Sequence, residues 1–144
     1  MLQPIILLNN YQIRYLVIGS FAMLLNGVSV IPSDLDLWID YKDEKNRHLF
    51  NNFLKEIAKG ETIKDEEFFI HYKYGLYLYN FLSVASGLEF EMAYNNSTKA
   101  VIENTNLRCL SLDDIVLNKL AVNRPKDALD IIKIKSFNHG RIIY

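Results

Sequence analysis

The chain has 144 residues, 50% of them hydrophobic and 23% charged, which fits one folded domain and excludes a disordered chain. Lys and Arg number 16 against 17 Asp and Glu, a net charge of -1 that excludes wholesale coating of nucleic acid but leaves room for a local basic face. The single cysteine, Cys109, excludes an internal disulfide and a cysteine-based zinc cluster, and points to a reducing cytoplasm.

In chain order, Leu2, Ile5, Ile6 and Leu7 predict a short helix ahead of Asn9-Asn10. Pro4 interrupts this apolar start, which lacks the basic residues and small-residue cleavage site of a signal peptide, and no later stretch is long enough to span a membrane. Tyr15–Ile18 is β-branched and aromatic, a buried strand that stops at Gly19-Ser20. Ser20 is expected to cap a helix over residues 21–25, with Gly27 as its stop. A loop over 28–33 leads to Asp34–Ile39, where acid and hydrophobe alternate, so a strand here carries both carboxylates on one face.

Asp43 is expected to cap a helix on which Phe50, Phe53, Leu54 and Ile57 recur at helical spacing until Gly60. Residues 61–67 read as an acidic loop. Residues 68–72 and 76–82 predict a hairpin turning through Lys73-Tyr74-Gly75. The stretch 87–93 is ambiguous, because Leu88, Phe90 and Met92 alternate over too short a distance. Residues 107–110 predict a short strand, and Ser111-Leu-Asp-Asp114 a capping-box-like helix start. That helix runs toward Asn123, and Pro125 suits the first position of another bearing Ala128, Leu129, Ile131 and Ile132. The order predicts one α/β or α+β domain over 1–144, a small mixed sheet flanked by helices and closed by a helical pair. The last stretch is cationic: Lys119, Arg124, Lys126, Lys133, Lys135 and Arg141 outnumber Asp127 and Asp130.

Chemistry concentrates where Val17-Ile18-Gly19-Ser20 precedes Asp34-Leu35-Asp36. Gly19 removes a side chain where a strand turns into a helix, so a ligand can approach the backbone, and Ser20 adds a hydroxyl beside free N–H groups that suit phosphate. Two carboxylates on one strand face make a hard-oxygen site suited to Mg²⁺ or Mn²⁺, ions usually shared with substrate phosphates. Phosphoryl transfer needs little beyond aligned cations and donors that hold the leaving group.

These residues, with Leu37-Trp38-Ile39, resemble the signature of the DNA polymerase β-type nucleotidyltransferase superfamily. The stretch from Asn80 to Phe90 resembles the block after the second catalytic strand of a small bacterial branch. The stretch from Leu110 through Asn118-Lys119, Arg124-Pro125-Lys126-Asp127 and Asp130-Ile131 resembles that branch's closing motif. The branch is related to AbiEii/AbiGii toxin components of abortive-infection and toxin–antitoxin systems. The resemblance implies a minimal nucleotidyltransferase fold, a nucleoside triphosphate (NTP) donor, Mg²⁺ or Mn²⁺ on the catalytic carboxylates Asp34 and Asp36, and donor phosphates at Gly19 and Ser20. It implies that Lys119, Arg124 and Lys126 supply positive charge to the nucleotide. As acceptor it implies an RNA end (a tRNA) or a protein hydroxyl, and as partner a cognate antitoxin or toxin. With so little chain beyond the core, the cationic helices after Ser111, or a partner, are expected to grip that acceptor.

The superfamily usually presents a third acid from a later strand, and the resemblance puts Asn80 there. An amide offers a carbonyl oxygen to a metal but neither accepts a proton nor adds charge. Glu89 and Glu91 lie nearby, so the third metal ligand is open between Asn80 and Glu91, and a degenerate interaction module or nucleotide sensor is the rival to an enzyme. His48, His71 and His139 lack metal-ligand spacing. Cys109 reads as a core residue. The alternating Tyr72, Tyr74, Tyr77 and Tyr79 could stack a base, though cross-strand packing explains them more simply. Trp38 shares the face of Asp34 and Asp36 and has no assigned role.

Overall fold

The computed structural model describes residues 1–57 and 68–143, without the side chains of 139–143; the expected helix end at Gly60, the acidic 61–67 loop and the side chains of His139 and Arg141 lie outside it. Helix α1 (Gln3–Asn10) buries Ile5 and Leu8, with Pro4 near its start where a missing N–H costs nothing. Strand β1 (Tyr15–Ile18) is buried on both faces. Helix α2 (Gly19–Leu25) begins two residues earlier than expected: Ile18 sits at the N-cap and Ser20 lies within the first turn, so Ser20 does not cap it. Strand β2 (Asp34–Ile39) runs antiparallel to β1, pairing Ile18 with Asp36 and Val17 with Leu37.

Asp43 caps α3 (Glu44–Ile57) as expected, its Oδ1 accepting from the Asn46 N–H at 3.2 Å. Strands β3 (Phe69–Tyr74) and β4 (Tyr77–Leu82) form the hairpin, but its loop is Gly75-Leu76, with Tyr74 paired to Tyr77. Gly75, at φ +60°, takes the position where a side chain would strain the backbone. Tyr72 faces Tyr79 and Tyr74 faces Tyr77, so the tyrosines form cross-strand pairs, with Tyr79 fully buried.

The ambiguous stretch resolves into α4 (Phe90–Asn95), because the Glu89 carboxylate caps the N–H groups of Glu91 and Met92. Phe90 and Ala93 are buried while Met92 is exposed, so the apparent alternation was incidental. Strand β5 (Thr98–Ile102) was not expected. It pairs with β6 (Thr105–Cys109) through Glu103-Asn104, both at positive φ. Helix α5 (Leu112–Val122) starts at Ser111, whose hydroxyl accepts from the Asp114 N–H, and ends at a left-handed Asn123. Helix α6 (Pro125–Ile143) follows at once with Pro125 in its first position.

The six strands form one mixed sheet in the order β3-β4-β2-β1-β6-β5, with β4 parallel to β2 and β6 parallel to β1. Strand alternation splits β2: Leu35 and Leu37 face the core, where Phe50 and Phe53 of α3 pack edge-on against Phe81 of β4. Asp34 and Asp36 take the opposite face. Helix α5 packs against α2 and α6. No helix among the described residues is long and apolar enough to cross a membrane.

Candidate functional site

The parallel register of β2 and β4 sets Asp36 beside Asn80, and the antiparallel register of β3 and β4 sets Asn80 beside His71. Directly paired residues share a sheet face, so this row brings the three side chains together. The Asn80 Nδ2 donates to Asp36 Oδ1 at 2.7 Å and to Asp34 Oδ2 at 3.1 Å. Its Oδ1 lies 2.6 Å from His71 Nδ1. Asn80 is buried at 3% exposure, so these bonds satisfy an amide that water scarcely reaches.

Gly19 closes the other side of the pair. Its φ is +69°, and a Cβ there would stand 2.8 Å from Asp36 Oδ2. Only glycine lets the end of β1 approach the carboxylate this closely. A cleft of about 290 Å³ opens here, floored by Gly19, Ser20, Asp34, Asp36 and Asn80. Burial raises the Asp36 pKa above its usual range, and the Asp34 charge adds to that. The Asn80 hydrogen bond and the charges of Lys126 and Arg124 act the other way. Among the described residues no ion pair involves Asp34 or Asp36.

The opposite wall comes from the α5–α6 junction. Lys119, expected at the nucleotide, lines the cleft yet is buried at 5% exposure and committed elsewhere: its Nζ lies 2.9 Å from Asp130 Oδ2 and 3.5 Å from Asp127 Oδ1. Arg124 grips the buried Asp127 through Nε at 2.9 Å and Nη2 at 3.1 Å, and its own backbone N–H bonds the same carboxylate at 3.0 Å. The Arg124 hydrogen bond pulls the Asp127 pKa down to about 2. Arg124 nonetheless remains largely solvent-facing at the cleft, and Lys126 stands exposed beside it. The structure thus brings Gly19, Ser20, Asp34, Asp36, Asn80, Arg124 and Lys126 to one cleft, with Lys119 anchored beneath its wall.

Glu91 does not join them. It bonds Arg14 Nη2 at 2.8 Å in a second cleft of about 370 Å³, where Asp40 also meets Arg14. Glu89 is engaged as the cap of α4. Trp38 turns to this second cleft, donating to the Ser83 carbonyl at 3.2 Å and packing on Phe90. The sequence reading missed His71, whose place follows from counting back four pairs from a two-residue hairpin loop. Cys109 is buried, as a core residue should be.

The donor set fits a small hard cation: two acceptor-only carboxylates on one face, without an ion-pair partner, open to solvent and facing a wall that can hold anions. Among the described residues no group of three or more His, Cys, Asp or Glu is placed to hold a metal ion, and at this site the third position is an amide.

A family model described as "Nucleotidyltransferase of unknown function (DUF6036)" matches residues 3–139. No curated protein matches the sequence. Solved structures share the fold. One is a Thermotoga maritima protein described as a nucleotidyltransferase, with 17% identity, a TM-score of 0.66, and coverage of 95% of this chain and 89% of that one. Another is ANT(2″)-Ia in complex with adenylyl-2″-tobramycin, with 14% identity, a TM-score of 0.60, and coverage of 92% and 82%. At these identities the likeness is one of fold.

Proposed function

The chain belongs to this nucleotidyltransferase family, and from that premise we propose that it moves a nucleoside monophosphate from an NTP to an acceptor hydroxyl, releasing pyrophosphate. The acceptor oxygen bonds to the α-phosphorus, the bond from that phosphorus to the bridging oxygen breaks, and the hydroxyl proton leaves to solvent. Asp34 and Asp36 are the residues that hold Mg²⁺ or Mn²⁺, which when bound neutralises charge on the phosphates. Arg124 and Lys126 bind the triphosphate oxygens, Arg through paired donors and Lys as a point charge. Gly19 admits the donor phosphates close to the backbone, with the Ser20 hydroxyl beside them. Lys119 works at one remove, fixing Asp127 and Asp130 so that Arg124 is presented to the cleft.

The observation that carries this reading is a pair of carboxylates that meet only a neutral amide, with no ion-pair partner among the described residues, under a cationic wall. The adenylyl group on the ligand of ANT(2″)-Ia supports a nucleotide on this fold. An RNA end or a protein hydroxyl in a toxin–antitoxin setting suits the exposed cations Arg124, just before α6, and Lys126, Lys133 and Lys135 along it, and rests on the resemblance to AbiEii-type proteins. A second reading, an interaction module without turnover, is favoured by Asn80: it removes a base where general-base help is worth about 10²–10⁴-fold.

The test is incorporation of label from each of the four NTPs into total RNA and a candidate partner protein. Wild type should label weakly, Asn80→Asp more strongly, and Asp34→Ala/Asp36→Ala not at all. NTP binding without labelling by wild type or Asn80→Asp would favour the interaction module.

A further inference from the structure

We propose that His71 is a positioning residue that decides which end of the Asn80 amide faces the Asp34–Asp36 pair, and thereby how readily that pair accepts a divalent cation. The proposal rests on the reading of the pair as a cation site. Ionised carboxylates only accept hydrogen bonds, so the amide end within 2.7 and 3.1 Å of them must be the NH₂. The amide oxygen is thereby left to His71, whose Nδ1 lies 2.6 Å away and must carry the hydrogen. His71 therefore locks Asn80 with its positive end inward, where its two N–H groups stand in for a bridging ion.

A cation cannot be met by N–H groups. To serve it, the amide must turn half a rotation and bring its oxygen inward. Its NH₂ then faces His71, which can accept only if Nδ1 has given up its hydrogen and Nε2 carries it instead. The imidazole tautomer and the amide orientation are one coupled unit. An acid at position 80 has no such choice of ends, so the coupling belongs to the amide. His71 itself lies on the exposed edge strand and its ring packs edge-on against Phe69 at 4.7 Å, a contact that phenylalanine can keep. Replacement should thus leave the fold intact, which thermal unfolding checks.

The experiment has a spectroscopic and a binding arm. In the metal-free protein, the imidazole ¹⁵N spectrum should show His71 protonated at Nδ1, moving to Nε2 when Mg²⁺ is added. In a Mn²⁺ titration, His71→Phe should bind about three- to tenfold more tightly than wild type, the loss of one hydrogen bond that opposes binding. Asn80→Asp should also bind more tightly, and adding His71→Phe to it should give no further gain. A metal-free His71 protonated at Nε2 would overturn the proposal, as would His71→Phe binding like wild type while Asn80→Asp binds tightly. Absence of Mn²⁺ binding even in Asn80→Asp would instead overturn the cation reading, and this proposal with it.

Discussion

Two neighbouring clefts, both lined by Val84 and Ala85, contrast in how they satisfy their acids, the larger at Asp40 and Glu91 and the smaller at Asp34 and Asp36. In the larger, Asp40 and Glu91 share the Arg14 guanidinium at 3.1 and 2.8 Å, and that guanidinium also lies over the rings of Phe90 and Tyr94. In the smaller, Asp34 and Asp36 share only a neutral amide, and their nearest cations act from across the cleft. One cleft carries its own counter-ion and gains stability from it. The other is left with negative charge that a ligand must complete. Half-buried charge without a counter-ion is costly, so a chain that keeps such a pair has a use for it.

The carboxylates that already have cations should be the ones whose loss of partner hurts most. Lys119→Met strips the buried Asp130 of its partner and leaves Asp127 to Arg124 alone, so it should destabilise the protein by about 3–5 kcal/mol in chemical denaturation. Arg14→Ala removes a less buried guanidinium and should cost about 1–3 kcal/mol, leaving nucleotide labelling unchanged.

Asp36→Asn should do the reverse, leaving metal-free stability unchanged or raising it by up to about 1 kcal/mol, because burial and Asp34 both oppose the charge it removes. A loss of 2 kcal/mol or more there would erase the contrast between the clefts. The pH dependences should differ in sign as well. Asp127, held at about 2 in the fold, contributes stability that is full above the ordinary carboxylate range and lost as pH falls from about 4 toward 2. Asp36, raised in the fold, contributes in the opposite sense, its share fading as pH rises through its folded value. Denaturation midpoints of Asp127→Asn and Asp36→Asn across pH 2–7 separate the two slopes.

Much of this contrast was written in local pattern. Alternation over 34–39 put Asp34 and Asp36 on one face, Gly19-Ser20 marked the end of β1, and Ser111 and Pro125 marked the starts of α5 and α6. What escaped depends on register and on tertiary contact. Leu76, 95% exposed, is a poor turn residue, so the sequence pattern sets a three-residue loop at 73–75 where the fold has a two-residue one at 75–76, and His71 is not set opposite Asn80. Strand β5 escaped because Glu103-Asn104 is a weak hairpin turn and half the strand faces solvent. Lys119 read as a free cation because its acids lie on another helix, and only the packing of α5 on α6 buries all three.

The most direct test of the central claim, that Asp34 and Asp36 take a divalent cation and a nucleotide in place of a built-in counter-ion, is the thermal shift produced by Mg²⁺ with an NTP. A ligand that binds only the native state raises the melting temperature by mass action. The wild type should show a shift that needs both components, and Asp34→Ala/Asp36→Ala should show none. A shift of the same size in the double variant would contradict the account, because the nucleotide would then be held somewhere other than the cleft of Asp34, Asp36 and Asn80.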